Sequence, residues 1–259
     1  VRPQNHIVIG GKHMAQHKVI TIAQQKGGAG KTTVAAHLAV AFAQKGNKVA
    51  IIDIDPQGSL THWHAVREKR FGEGFTGLHF STLSGWRLRS EIDRLKDGFD
   101  IILIDSPPHT ETEAKTAIRV ADVVIIPVQP SPTDLWATKS TVDICKAENV
   151  LCHVLLNRVS PNSKLAQQVS RELSSRLKTL LGNRVMFASS LLEGRCVTET
   201  APSSQAAQEV RELAGEIAGL IGLASFAPAK PEEAKKAAPK KKAPASSSAK
   251  ARKKIRKAG

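Results

Sequence analysis

The stretch Lys26-Gly27-Gly28-Ala29-Gly30-Lys31-Thr32-Thr33 constrains this chain more than any other. It lies between an apolar run, Val19 to Ala23, and a helical pattern opened by Val34 and Leu38. A strand, a glycine loop and a helix in that order make a phosphate loop. Glycines let the backbone bend tightly, so that successive N–H groups and the positive end of the following helix face an anion. Lys31 is placed to reach β- and γ-phosphates, and Thr32 to offer its hydroxyl to Mg²⁺. The usual G-x-x-x-x-G-K-[ST] pattern lacks its first glycine, because Gln25 stands there, and a second lysine, Lys26, precedes Lys31 by five residues.

Such a loop needs a sheet behind it. Val49-Ala50-Ile51-Ile52 runs into Asp53-Ile54-Asp55-Pro56-Gln57, and Ile101-Ile102-Leu103-Ile104 runs into Asp105-Ser106-Pro107-Pro108. Continuous rather than alternating apolar residues predict strands buried on both faces. Further strands are expected at Leu78–Phe80, Val123–Val128, Val150–Leu156 and Val185–Phe187. Helices are expected at about Lys31–Lys45, Ser59–Arg70, Leu88–Lys96, a stretch ending near Glu148, Lys164–Leu181 and Ser203–Leu220. Repeated β-then-α units of this kind predict an α/β fold, a mostly parallel twisted sheet with helices on both faces.

Ligands of open α/β sheets sit at the carboxyl ends of strands, where Asp53, Asp55 and Asp105 fall. A lone aspartate there is as often a helix cap or a turn, but three in the expected order behind a phosphate loop suit phosphoryl transfer. Asp105 fits a carboxylate that holds a Mg²⁺-bound water. Asp55 is the better candidate to orient the attacking water, and Asp53 is a candidate to hold a lysine or a metal-bound water.

Composition narrows the alternatives. A chain of 259 residues can bury a full core, no run of about 18 apolar residues predicts a membrane span, and no secretory signal pattern opens the sequence. Cys145, Cys152 and Cys196 are odd in number and scattered, which reads as free thiols in a cytoplasmic protein. His62 with His64 reads as a pair of polar side chains facing solvent rather than a metal site. The net charge of +15 is concentrated in the tail, where Phe226 to Gly259 holds twelve Lys or Arg against two Glu. The expected organisation is a flexible lead-in over 1–17, with Met14 as an alternative start, a phosphate-loop domain over 18–222, and a disordered basic Lys/Ala/Pro tail over 223–259.

Lys26 to Thr33, Asp53 to Gln57 and Ile101 to Pro108 together resemble the deviant Walker A, D-x-D-P-Q and Walker B segments of the ParA/MinD family of P-loop ATPases. The likeness runs from about Lys18 to Leu220 and is nearest to the small ParA partition proteins. It implies ATP and Mg²⁺ as ligands, with Gly27, Gly28, Ala29, Gly30, Lys31, Thr32 and Thr33 cradling the nucleotide. Thr32, Asp53 and Asp105 would lie at the metal, and Lys26, Lys31 and Asp55 would carry catalysis. It further implies that Lys26 reaches the partner's phosphates in an ATP-sandwich homodimer, and that Asn157 contacts adenine. Pro127 to Trp136 resembles the proline-containing loop near the dimer interface. Ala29 stands where valine is commoner. Hydrolysis is expected to be weak and stimulated by a ParB-like or other cargo-bound activator.

The family's second activity is non-specific DNA binding. Candidate surfaces are a body patch of Arg171, Arg176, Lys178, Arg184 and Arg195, and the tail, with Lys240, Lys241, Lys242, Arg252, Lys253 and Lys254. A MinD-like membrane-surface ATPase is the alternative. It is disfavoured because the tail has almost no large apolar residues to insert and no amphipathic anchor. A nitrogenase-type iron protein would need cluster cysteines after Asp105 and near Val128. A bacterial tyrosine kinase would carry a tyrosine-rich tail, and this chain has no Tyr. The reading is therefore a nucleoid-associated ATPase that positions an unspecified cargo.

Overall fold

The computed structural model describes residues 17–108, 111–173 and 175–223. Strands and helices alternate through β1 (Lys18–Ile22), α1 (Lys31–Gln44), β2 (Val49–Asp53), α2 (Ser59–Phe71), β3 (His79–Thr82), α3 (Leu88–Leu95), β4 (Ile101–Asp105) and α4 (Glu111–Arg119). They continue with β5 (Val123–Val128), α5 (Pro132–Ala147), β6 (Leu151–Leu156), α6 (Lys164–Glu172), α7 (Val185–Leu192), α8 (Val197–Thr200) and α9 (Gln205–Leu220). The strands form one six-stranded sheet in the order β3-β2-β4-β1-β5-β6, and every pairing is parallel.

Every residue of β2, β4 and β5 is buried, so their sequences carry no polar face to alternate with. Successive side chains still point to opposite layers. Ile20, Ile22, Ile51, Leu103 and Ile125 join a core with α1 and α9. On the other face Ile52, Ile102 and Ile104 pack with Leu88, Ile92 and Leu95 of α3, and Val124 and Ile126 pack with Cys145 of α5. Helix α1 is buried without interruption from Val34 to Phe42, which explains its many alanines: small side chains let it lie close to both sheet and α9. The apolar stripe of α9 is docked core at Val210, Leu213, Ala214 and Ile217, although Leu220 is exposed. The three cysteines are free thiols.

Two expected elements are corrected. The helix expected over Lys164–Leu181 ends at Glu172. Leu177 and Leu181 are buried four residues apart, a spacing that imitates a helix, but they sit on a strap running parallel to β6. Leu177 N–H donates to Val154 O at 2.9 Å and Leu181 N–H to Leu156 O at 2.9 Å. The strap thus spends four residues where β6 spends two, and its surplus N–H groups need other acceptors. The strand expected at Val185–Phe187 is instead the first turn of α7. The β-branched and aromatic residues there follow local strand preference, but Phe187 and Ser190 must face the same neighbour, His37, which helical spacing achieves. Helices α4 and α8 had no counterpart in the sequence reading.

Candidate functional site

β1, β4 and β2 end level with one another. Ile22 pairs with Asp105, and Asp105 with Asp53. Above them lies a cavity of about 510 Å³ lined by Gly28, Gly30, Lys31, Thr32, Thr33, Asp55, Gln57 and residues of α2 and α7. The phosphate loop, the D-x-D-P-Q segment and the Walker-B segment expected from sequence therefore do meet at one place.

The loop is held from outside itself. Asn157, at the end of β6, donates its amide to Ala29 O at 2.9 Å, and Gln129, after β5, donates to Gly28 O at 3.0 Å. With two carbonyls turned away and satisfied, the N–H side of the loop is left for an anion. Gly30 has φ 97°, and a Cβ there would stand 2.4 Å from Asn157 Nδ2, so neither the conformation nor the space admits a side chain. Asn157, expected at adenine, is 5 % exposed and uses its amide nitrogen on the loop and its oxygen on Arg158 N–H.

Lys31 is buried, and desolvation lowers its pKa, opposed by the charges of Asp105 and Asp55. Thr32 Oγ1 donates to Asp105 Oδ2 at 2.7 Å. Burial raises the Asp105 carboxyl to about 7, and its Oδ1 is buried with no hydrogen-bond partner. A carboxylate so deprived calls for a cation, and together with the Thr32 hydroxyl it fits Mg²⁺. Among the described residues no three His, Cys, Asp or Glu side chains converge to cage an ion.

Asp53 is placed differently from its neighbours. It accepts from Thr61 N–H at 2.9 Å, from Thr61 Oγ1 at 2.7 Å and from Asp55 N–H at 3.0 Å, so its carboxylate ties the D-x-D-P-Q turn to the first turn of α2. Asp55 accepts from Gln57 N–H at 3.0 Å and lines the cavity, where it can face a water at the phosphates. Lys26, at the head of the loop, has its side chain 35 % exposed and bonded to Asp134 Oδ2 at 2.5 Å and Thr133 Oγ1 at 3.1 Å. Sequence reading missed Asp134, although Ser131 before Pro132 and Asp134 is a helix-capping signal. Ser131 does cap α5, accepting from Asp134 N–H at 3.2 Å.

A second cavity of about 320 Å³ adjoins the first through Thr33 and Arg158 and is walled by the strap and the start of α7. His37 of α1 braces that wall: Nδ1 meets Thr33 O at 2.8 Å, Nε2 meets Ser190 Oγ at 3.4 Å, and its ring lies edge-on to Phe187. Burial holds the imidazole neutral, with its pKa pushed down to about 4. Of the basic body patch, Arg195 is half-buried and donates to Glu199 O at 2.6 Å, while Arg184 is paired with Glu209 at 2.7 Å. Lys240, Lys241, Lys242, Arg252, Lys253 and Lys254 lie outside the described residues.

A parallel sheet with a phosphate loop on its central strand and a buried aspartate on the neighbouring strand defines a P-loop nucleotide-binding domain. The model of the CobQ/CobB/MinD/ParA nucleotide binding domain matches residues 20–195, and the chain belongs to this family. Maintenance of carboxysome distribution protein A of Halothiobacillus neapolitanus is 26 % identical over 220 residues, covering 79 % of this chain and 99 % of that relative. The chromosome-partitioning ATPase Soj of Thermus thermophilus is 29 % identical over 240 residues, covering 78 % and 96 %. Among solved structures, the septum site-determining protein MinD of Pyrococcus horikoshii, complexed with Mg-ADP, matches with a TM-score of 0.68 at 25 % identity. That match covers 80 % of this chain and 98 % of the other.

Proposed function

We propose that this protein is an ATP-switched positioning ATPase. ATP closes two copies around the bound nucleotides, the closed dimer holds DNA without reading its sequence, and an activator on the cargo triggers hydrolysis and release. The observation that carries this reading is Lys26, a second lysine at the head of the phosphate loop, whose ammonium is held by Asp134 on a partly exposed side chain that can turn to a second subunit. Two relatives named for carboxysome distribution and chromosome partitioning support the positioning role.

In this mechanism the loop N–H groups and Lys31 bind the β- and γ-phosphates, and Asp55 orients the attacking water. Bound Mg²⁺ would be held through Thr32 and Asp105 and would supply charge neutralisation at the phosphates. Lys26 leaves Asp134 to contact the partner's nucleotide. The basic tail adds phosphate contacts on DNA, which makes retention salt-dependent and places the protein on the nucleoid.

The test is co-sedimentation with DNA at several salt concentrations, with and without ATP. Wild type should be retained only with ATP. Lys31→Ala should abolish retention, and deletion of 226–259 should weaken it and flatten its salt dependence. Retention that ignores nucleotide would overturn the switch. ATP-dependent flotation with anionic liposomes in place of DNA retention would move the assignment to a membrane-surface ATPase.

A further inference from the structure

The strap beside β6 has too few backbone partners of its own, and α9 supplies the missing ones at two points. Glu216 accepts from Lys178 N–H at 2.6 Å and Thr179 N–H at 2.9 Å. Two helical turns earlier, Glu209 accepts from Gly182 N–H at 3.0 Å and pairs with the Arg184 guanidinium at 2.7 Å. The two contacts are alike in chemistry but differ in place. Gly182 and Arg184 line the 320 Å³ cavity, whereas Lys178 and Thr179 do not. That cavity opens from the phosphate site past Thr33, and its wall combines apolar Leu181, Val185 and Phe187 with the amide of Asn183. Flat apolar walls with a few amide groups suit a heteroaromatic base.

We propose that Glu209, carried on the last described helix, is the positioning residue for the nucleobase: by fixing Gly182 and Arg184 it sets the wall against which the base of a purine nucleoside triphosphate stacks. This rests on the nucleotide-binding reading above. Glu209 is 6 % exposed, and neither it nor its partners Gly182 and Arg184 line the cavity at the phosphate loop. Glu209→Gln leaves one acceptor oxygen for two donors, a buried N–H and a guanidinium, and turns an N–H₂ towards one of them, which lets the wall move and costs affinity for the base while sparing the phosphate cradle.

The experiment compares ATP with magnesium tripolyphosphate, which presents phosphates without a base, by calorimetric titration of the full chain. Glu209→Gln should weaken ATP binding about tenfold and leave tripolyphosphate binding within about twofold. Glu216→Gln should lower the melting temperature but leave the ratio of the two affinities as in wild type. Arg184→Gln, which keeps Glu209 on Gly182, should fall between them. Equal losses for both ligands in Glu209→Gln, or an unchanged ATP affinity, would overturn the proposal, as would an equal change of ratio in Glu216→Gln. If Glu209→Gln fails to fold, the ratio in Arg184→Gln decides: a value unchanged from wild type would sink the idea. Failure of the wild type to bind ATP through Lys31 would instead overturn the nucleotide reading itself.

Discussion

The two ends of the nucleotide crevice are built on opposite plans. At the phosphate end the chain folds back on itself within eight residues, and its distant helpers, Asn157 and Gln129, merely pin two carbonyls. At the strap end almost nothing is local: segment 175–184 takes its hydrogen bonds from β6 and from carboxylates on α9. A cradle for an invariant group, phosphate, can be written as a short motif whose positive-φ positions fall on glycines, which adopt them without strain. A wall for a base is assembled from whatever surrounds it, so its shape can drift while the cradle stays fixed.

Removing Lys31 strikes the phosphate end hardest. Lys31→Ala should weaken ATP binding roughly a thousandfold, as loss of a buried charged partner does, with little change in melting temperature; a loss below tenfold would break the contrast between the two ends. Acid probes the joint between them. His37 is neutral when folded with a pKa of about 4, against 6.5 in the unfolded chain. At His37 the unfolded state therefore binds more protons between those values, and the His37 contribution to stability falls as pH drops from 6.5 towards 4, by on the order of 3 kcal/mol, against an opposite contribution from Asp105, whose carboxyl is raised to about 7. Urea titrations of wild type and His37→Asn at pH 7 and pH 4.5 isolate it: relative to His37→Asn, the wild type should lose stability on acidification.

Gly30→Ala should cost about 2 kcal/mol through its positive φ and its collision with Asn157. Denaturation of Gly30→Ala alone and combined with Asn157→Ala separates the causes: the double variant should recover the part due to collision but not the part due to φ. The smallest effect belongs to the far end of the strap. Glu216→Gln should destabilise by about 1 kcal/mol, read as a lower urea midpoint at unchanged slope.

The same contrast explains what could be read in advance. The loop, the strands ending in Asp53 and Asp105, and the parallel sheet follow from short-range signals: glycines before Lys31 and unbroken apolar runs. The strap does not, because Leu177 and Leu181 obey helical spacing while their N–H groups go to Val154 and Leu156. Asp53 was legible as a strand-end carboxylate but not as the acceptor for Thr61, since a hydrogen bond eight residues ahead leaves no mark distinct from a ligand. Asn157 was found through resemblance, yet its grip on Ala29 O depends on β6 lying beside β5, which only the sheet order reveals.

The ion pair between Lys26 and Asp134 bears on how firmly two subunits can hold together. An ammonium that already owns a carboxylate 2.5 Å away brings to a partner's phosphates only the difference between one ion pair and another. In the proposed dimer this contact is therefore an exchange of one anionic partner for another rather than a new ion pair, and Asp134 would compete with the partner's phosphates for the same ammonium.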